Sequence, residues 1–497
     1  MAQEDAFRVT AGERQLFLDD YGIAKMDNLI RTLHQPAKKG AVIRPVPGDS
    51  DLNCIQTRTA PIWDPEKKVW KFWDITIPNS MYEKGVYCSG YYESSDGLHW
   101  TKPVVGKIEY KGSRQNNLIS VAHKDKGMMP GSVVYDPTDP DPSRRFKAVL
   151  PHTGFAVSAD GVNWTALNIE RVPCQDEFNL SFDSKDHLFI LTVKRSGPYG
   201  RSVALMTSKD FEHWTDHDLI FHADEIDQEL GKKNIERVFA DPSLAHPAYN
   251  MPEKYNVDIY NMGLFRYEGL YIGLPSVYHK TGQVDSNWPG FAEWDVSPAV
   301  MQENYLKSGD WGGFHHVQMI CGRDFKNWQR IGDRKPFIDL SPVGAGAYDL
   351  ACIIGPSYPI VRGDELWFYY TGIKQYGGPP PTSAVERDTG AICLAVLRRD
   401  GFISLDAGDE EGTLLTKPFQ LTGGKLYTNI DARKGELRVE ALDKDGEILA
   451  MSSPLNGDLP RGEVNWRQGN LADPRGHQVS FRFFLRNAKL YSYWLEK

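Results

Sequence analysis

Four copies of one short pattern constrain this chain more than any other feature. They are Ser94-Ser95-Asp96-Gly97-Leu98-His99-Trp100, Ser158-Ala159-Asp160-Gly161-Val162-Asn163-Trp164, Ser208-Lys209-Asp210-Phe211-Glu212-His213-Trp214 and Gly322-Arg323-Asp324-Phe325-Lys326-Asn327-Trp328. In each, Asp stands four residues before Trp, and a short apolar run leads in: Val86 to Tyr92, Phe155 to Val157, Val203 to Met206 and Val317 to Cys321. A fifth, eroded copy follows Ile392 to Leu397 as Arg398-Arg399-Asp400-Gly401-Phe402, without the Trp. A strand-rich unit that recurs every few tens of residues cannot bury its faces alone, but radial stacking of such units can. Five copies predict five blades of a β-propeller.

The repeated residues suit scaffold work. An Asp carboxylate at a strand end can accept from the backbone two residues on, and a following Gly tolerates positive φ, so the pair favours a tight turn. The Trp can return as an apolar plug between sheets, with its indole N–H near the rim. Stacking of these tryptophans on sugars is the competing expectation, and residues present in every blade more often serve packing.

Domain organisation follows from the positions of the copies. Residues 1–45, with the strand-like Gln15 to Leu18, form an N-terminal extension expected to pack on the core. Residues 46–422 hold the five blades, which open near Asp51, Gly131, Cys174, Asn234 and Tyr348. The fourth blade carries a polar stretch from about 280 to 313, read as a rim loop that shapes a pocket. Beyond 423 the texture becomes alternating strands with Gly and Asp turns, as in Glu436 to Leu442, Asp443-Lys444-Asp445-Gly446 and Gln478 to Leu485. That alternation predicts an all-β C-terminal sandwich over 423–497.

Composition removes several classes of function. A net charge of −9 with no basic stripe argues against nucleic acid. No run of 18 apolar residues offers a membrane span, and Met1-Ala2-Gln3-Glu4-Asp5 does not read as a secretory signal as it stands, so compartment is left open, export included. The six cysteines (54, 88, 174, 321, 352, 393) are scattered, without metal-ligand spacing or a disulfide framework. There is no phosphate-binding loop, dinucleotide fingerprint or Ser or Cys nucleophile motif. His315-His316 is expected to pack or hydrogen-bond. An oxygen-ligand calcium in the channel, held by acids such as Asp349, is compatible with the sequence, and no cofactor is required.

Acids at the blade openings carry the chemistry. The first strand of a blade lines the central channel, so a polar residue at its start faces a shared funnel. Blade one offers Asp51 with Asp49, blade three Asp176 and Glu177, blade four Glu236 and blade five Asp349, whereas blade two has only Asp125 nearby. Converging carboxylates whose pKa values are driven apart are what glycosidic cleavage needs. Asp51 is the expected nucleophile or base, Glu177 or Asp176 the acid, and Asp349 and Glu236 are expected to bind hydroxyls and tune pKa. Arg58, Asn179 and Arg237 beside these openings are the candidates for gripping sugar hydroxyls.

The plan of five blades and a trailing sandwich resembles the five-bladed glycoside hydrolases: the invertase and fructanase, arabinanase and xylosidase, and mannoside phosphorylase families. Glu177-Phe178-Asn179-Leu180-Ser181-Phe182 is similar to the third-blade segment that carries the general acid in the arabinanase-like group. Asp400-Gly401-Phe402-Ile403-Ser404-Leu405, Thr416-Lys417-Pro418 and Ala488-Lys489-Leu490-Tyr491 are similar to a fructanase-related bacterial group. The Asn-Asp-Pro, Arg-Asp-Pro and Glu-Cys motifs of true fructanases are absent. The resemblance implies an exo-acting glycoside hydrolase with a carbohydrate substrate, acting in polysaccharide degradation. A non-catalytic propeller that binds glycan or protein, and a glycoside phosphorylase with basic residues beside the acids, are the alternatives.

Overall fold

The computed structural model describes residues 7–46, 54–75, 87–123, 126–152, 154–379, 388–472 and 476–497. Five antiparallel sheets form the blades. The first is Ile62–Asp64, Val69–Trp73, Ser89–Ser94 and Leu118–Ile119, and the second Ser132–Tyr135, Phe146–Leu150, Gly154–Ser158 and Trp164–Ala166. The third runs Phe178–Asp183, Leu188–Gly197, Gly200–Ser208 and Thr215–Phe221. The fourth is built on Asn256–Tyr267, Leu270–Val284, Ile320–Gly322 and Gln329–Arg330, and the fifth on Cys352–Ile354, Glu365–Ile373 and Gly390–Arg398. The chain is an all-β, five-bladed propeller followed by a β-sandwich.

The repeated turns explain the blades. In each complete copy one carboxylate oxygen accepts from two backbone N–H groups: Asp96 from Leu98 and His99 (both 2.8 Å), Asp160 from Val162 and Asn163 (2.9 and 2.8 Å), Asp210 from Glu212 and His213 (2.9 and 2.8 Å), and Asp324 from Lys326 and Asn327 (both 2.7 Å). Gly97 and Gly161 take the positive φ of 75° that the turn demands. The following Trp then packs across the blade seam. Trp100 lies against Phe72 and blade-five Tyr369, Trp164 against blade-one Trp73, and Trp214 stacks on blade-two Phe155 at 5.0 Å. All four are half-buried, including Trp328, rather than mostly buried as a core plug would be. A seam between wedge-shaped sheets opens outward, so a residue at the outer turn keeps one edge in water. Trp164 donates its indole N–H to Gly161 O at 3.0 Å.

The fifth copy lacks Trp because its turn meets the sandwich instead of solvent. Asp400 is fully buried and accepts from Arg14 (2.5 Å), Tyr267 OH (2.6 Å) and Ser492 Oγ (2.6 Å), which join extension, blade four and sandwich. Phe402, two residues after Asp400, packs between Tyr267 and Phe368.

Strand pairing crosses both boundaries drawn from the sequence at 46 and 423. Ala37–Ile43 is the outermost strand of blade five, paired with Gly390–Arg398, so an early strand closes the ring. The 12-stranded C-terminal sheet takes in Ile23–Asp27, Ile30–Leu33, Ile403–Ala407 and Gly412–Thr416 beside Lys425–Leu442, Gln478–Arg486 and Ala488–Glu496. The polar stretch after 280 is partly regular: Leu270–Val284 pairs back with Asp310–Val317, and Pro298–Asn304 is helical.

At the axis, side-chain hydroxyls stitch neighbouring blades. Ser132 Oγ and Ser357 Oγ both donate to Arg58 O (2.5 and 2.7 Å), Ser181 Oγ donates to Leu264 O (2.5 Å), and Gly355 N donates to Ser276 Oγ (2.8 Å). Tyr358 packs against three of the hydrophobic clusters and donates to Val133 O, plugging the channel between its two ends.

Candidate active site

The site lies where the first strands begin. Glu177 precedes Phe178–Asp183 and is buried with Arg58 from the blade-one opening; Arg58 Nε and Nη2 reach its two oxygens at 2.5 and 2.6 Å. Burial works against the Arg58 charge, but the Glu177 carboxylate outweighs it and pushes the guanidinium above its ordinary value. A carboxylate bridged on both oxygens is placed to act as an anion, as base or nucleophile, rather than as a proton donor.

A second carboxylate joins it from blade four. Asp258 is buried and accepts from Arg201 Nε at 3.0 and 2.9 Å. Burial raises its carboxyl above the ordinary range even though Arg201 and Lys194 pull the other way. It is the acid of the pair best prepared to hold a proton. Gly200, with φ of 118°, makes this possible: a Cβ there would stand 2.9 Å from Asp258 Oδ2.

Lys194 links the two. Its side chain is buried, pairs with Asp176 at 2.8 Å and lies 3.8 Å from the Tyr260 ring centre. Burial draws its ammonium below the ordinary lysine value, with Glu177 and Asp176 pulling it back up. Tyr260 in turn is pushed well above an ordinary phenol, by burial and then by the Glu177 charge. Behind it His315 sits among the rings of Tyr260, Tyr278 and Tyr376 at 4.7 to 4.9 Å. Its Nδ1 meets Cys352 Sγ at 2.6 Å, and burial, then Arg201 and Lys194, hold the imidazole neutral. Tyr376 packs on Tyr278 at 5.4 Å, and burial raises its phenol above the ordinary value against the pull of the Arg201 charge.

The sequence-derived candidates divide. Glu177, Asp176 and Arg58 come together, although Asp176 is exposed at the rim. Asn179 is buried on the axis, where it donates to Ser357 Oγ at 2.8 Å and accepts from Asn261 at 3.2 Å, so it ties blades together. Asp349 is turned onto the flank of blade five, between Lys38 (2.7 Å) and Tyr370 OH (2.8 Å), because the turning residues Leu350 and Ala351 separate it from its strand. Glu236 and Arg237 open no blade. They lie exposed on the helix Glu225–Ala240, and Arg237 reaches Asp339 at 3.2 Å. Asp224 caps that helix through a reciprocal bond with Asp227, and this Asp-x-x-Asp step ahead of Leu230, Ile235 and Val238 was the signal for it. Asp49, Asp51 and Asp125 lie outside the described residues. Lys194, Arg201, Asp258 and Tyr260 were missed; each is a polar residue within or beside an apolar strand run, as in Val257-Asp258-Ile259-Tyr260. Among the described residues no three His, Cys, Asp or Glu side chains gather in a way that could hold a metal ion.

No protein-family model and no curated protein matches the chain. The solved structures to which it is similar are largely glycoside hydrolases. One described simply as a glycoside hydrolase is 12% identical, with 73% of this chain and 92% of that one covered at a TM-score of 0.40. A beta-fructofuranosidase from Bombyx mori in complex with sucrose is 11% identical, with 92% and 93% covered at 0.35. An N-acetylgalactosamine deacetylase from F. plautii, in complex with blood group B trisaccharide, is 13% identical, with 74% and 96% covered at 0.42. The five-bladed architecture stands on this chain's own strand pairing.

Proposed function

We propose that the chain is an exo-acting glycoside hydrolase that cleaves a terminal sugar from an oligo- or polysaccharide at the Glu177 end of the channel. One observation carries this: two buried carboxylates from different blades, Glu177 and Asp258, stand in one cluster with different electrostatic settings. Asp258, held toward its protonated form by burial, donates to the leaving oxygen. Glu177, paired on both oxygens with Arg58, attacks the anomeric carbon or activates water. Tyr260 and Lys194 between them line the place of the sugar. Asp51 remains a rival for the anionic role.

Phosphorolysis is the second reading, favoured by the three cations Arg58, Lys194 and Arg201. Arg58 and Lys194 are each matched by a carboxylate, however, so only Arg201, when its partner Asp258 holds a proton, offers positive charge to a phosphate. The test is a panel of oligosaccharides and aryl glycosides, run with and without inorganic phosphate, on the wild type and on E177Q, D258N and D51N. Free sugar released without phosphate, and lost in E177Q and D258N, is expected. Sugar phosphate formed only when phosphate is present would replace hydrolysis with phosphorolysis, and glycan binding without turnover would make the propeller a binding module.

A further inference from the structure

We infer that Trp311 is a stacking platform for the sugar on the leaving-group side of the site, so that the substrate has at least one further sugar ring beyond the one transferred. The inference rests on the hydrolase reading and on Asp258 as its acid. Of the 13 tryptophans, only Trp63 and Trp311 are exposed. Trp63 leans on Trp70, and both line the depression of about 420 Å³ at the other end of the channel, beyond Tyr358. Trp311 is 41% exposed beside the acid cluster, and among the described residues no aromatic ring covers it.

Isolated exposed apolar side chains are common and need no explanation. Trp311 differs in how firmly it is held. The residue before it, Asp310, is buried and accepts from Tyr249 OH at 3.0 Å and from Gly378 N at 2.7 Å. Gly377 packs directly on the Trp311 backbone, where a Cβ would come within 2.0 Å of its carbonyl oxygen, and a Cβ on Gly313 would stand 2.5 Å from the Tyr278 ring. That leaves the exposed indole ring as the part free to bind. A pinned, open aromatic face suits the C–H face of a sugar ring, and its rigidity keeps the ordering cost of binding low.

Position gives the side. Trp311 backs onto Gly377, the neighbour of Tyr376, whose ring meets Tyr278; the Tyr278 face carries the Arg201 guanidinium that binds Asp258, so the platform stands on the side of the group that protonates the leaving oxygen. The ring that stacks there is the one that departs.

The experiment compares W311A and W311F with wild type on an oligosaccharide substrate and on the glycosyl fluoride of the same terminal sugar, whose leaving group cannot stack. W311A is expected to lower the ratio of kcat/KM on the oligosaccharide to that on the fluoride by roughly tenfold, and W311F to restore most of it. An unchanged ratio in W311A overturns the platform while the hydrolase reading stands. If wild type turns over neither substrate, the hydrolase reading fails, and titration calorimetry with the oligosaccharide then decides the platform: weaker binding by W311A supports it, and equal or absent binding overturns it.

Discussion

The outer turns of the blades and the mouth of the channel use the same kind of residue, a carboxylate, in opposite ways. At the turns Asp96, Asp160, Asp210 and Asp324 accept from backbone N–H groups two and three residues on, with water still in reach, and the same bonds recur in every complete copy. At the mouth Glu177 and Asp258 are buried, occur once each, and are satisfied by guanidinium groups from elsewhere in the chain, Arg58 being 119 residues from Glu177. Local satisfaction gives a robust part that can be copied around a ring. Burial beside a distant cation singles out one carboxylate, which a reaction needs and a scaffold does not.

Removing one partner should expose this contrast most strongly in the buried pair. E177A strands Arg58 in the interior and is expected to cost about 3–5 kcal/mol in urea unfolding, much of it returned when Arg58 is also replaced by Leu. A loss below about 1 kcal/mol would mean that water reaches the pair and that it resembles a surface bridge. W214A, which empties half of a blade seam, is expected to cost about 2 kcal/mol, less than a fully buried aromatic. D160A removes an acceptor for two backbone N–H groups and is expected to cost about 1 kcal/mol at pH 7.

Acid sharpens the comparison because Asp160 and Asp258 shift in opposite directions. Burial opposes the Asp160 charge, but the Asn163 and Val162 N–H groups outweigh it and hold the carboxyl below its ordinary value. Its contribution is therefore present above the unfolded value of about 3.9 and is lost as pH falls through the lower folded value, so the deficit of D160A should shrink in melts below about pH 4. Asp258 is raised, so its share is complete below about pH 3.9 and is lost as pH rises through the folded value. In kcat/KM the same group should produce a fall on the alkaline side, displaced above the ordinary aspartate range. Substrates with activated leaving groups should show a weaker fall. An alkaline limb independent of the leaving group would take the acid role from Asp258.

What could be read from the sequence follows the same division. The blades were visible because each turn is written within seven consecutive residues, and Glu177 because it stands at the start of an alternating strand. Asp349 looked equivalent, yet the turn through Leu350 and Ala351 ahead of Cys352–Ile354 carries it to the blade flank, a matter of chain path rather than residue type. Glu236 was misplaced because helical spacing after Asp224 was taken for a blade opening. Asp258, Lys194 and Arg201 carry no motif: their meaning comes from one another, across three strands of two blades. The early strand Ala37–Ile43 closing blade five is likewise invisible locally, since its partner lies some 350 residues on.

The most direct test of the division between scaffold and site sets two carboxylates against a third. kcat/KM on a proven oligosaccharide substrate is measured for E177Q, D258N and D160N, with folding checked by melting. E177Q and D258N are expected to lose about 10²–10⁴-fold, the scale of general acid–base catalysis, while D160N, whose amide oxygen can still accept at the turn, stays within about twofold of wild type. Full activity in E177Q or D258N, or a loss in folded D160N as deep as theirs, would contradict the account.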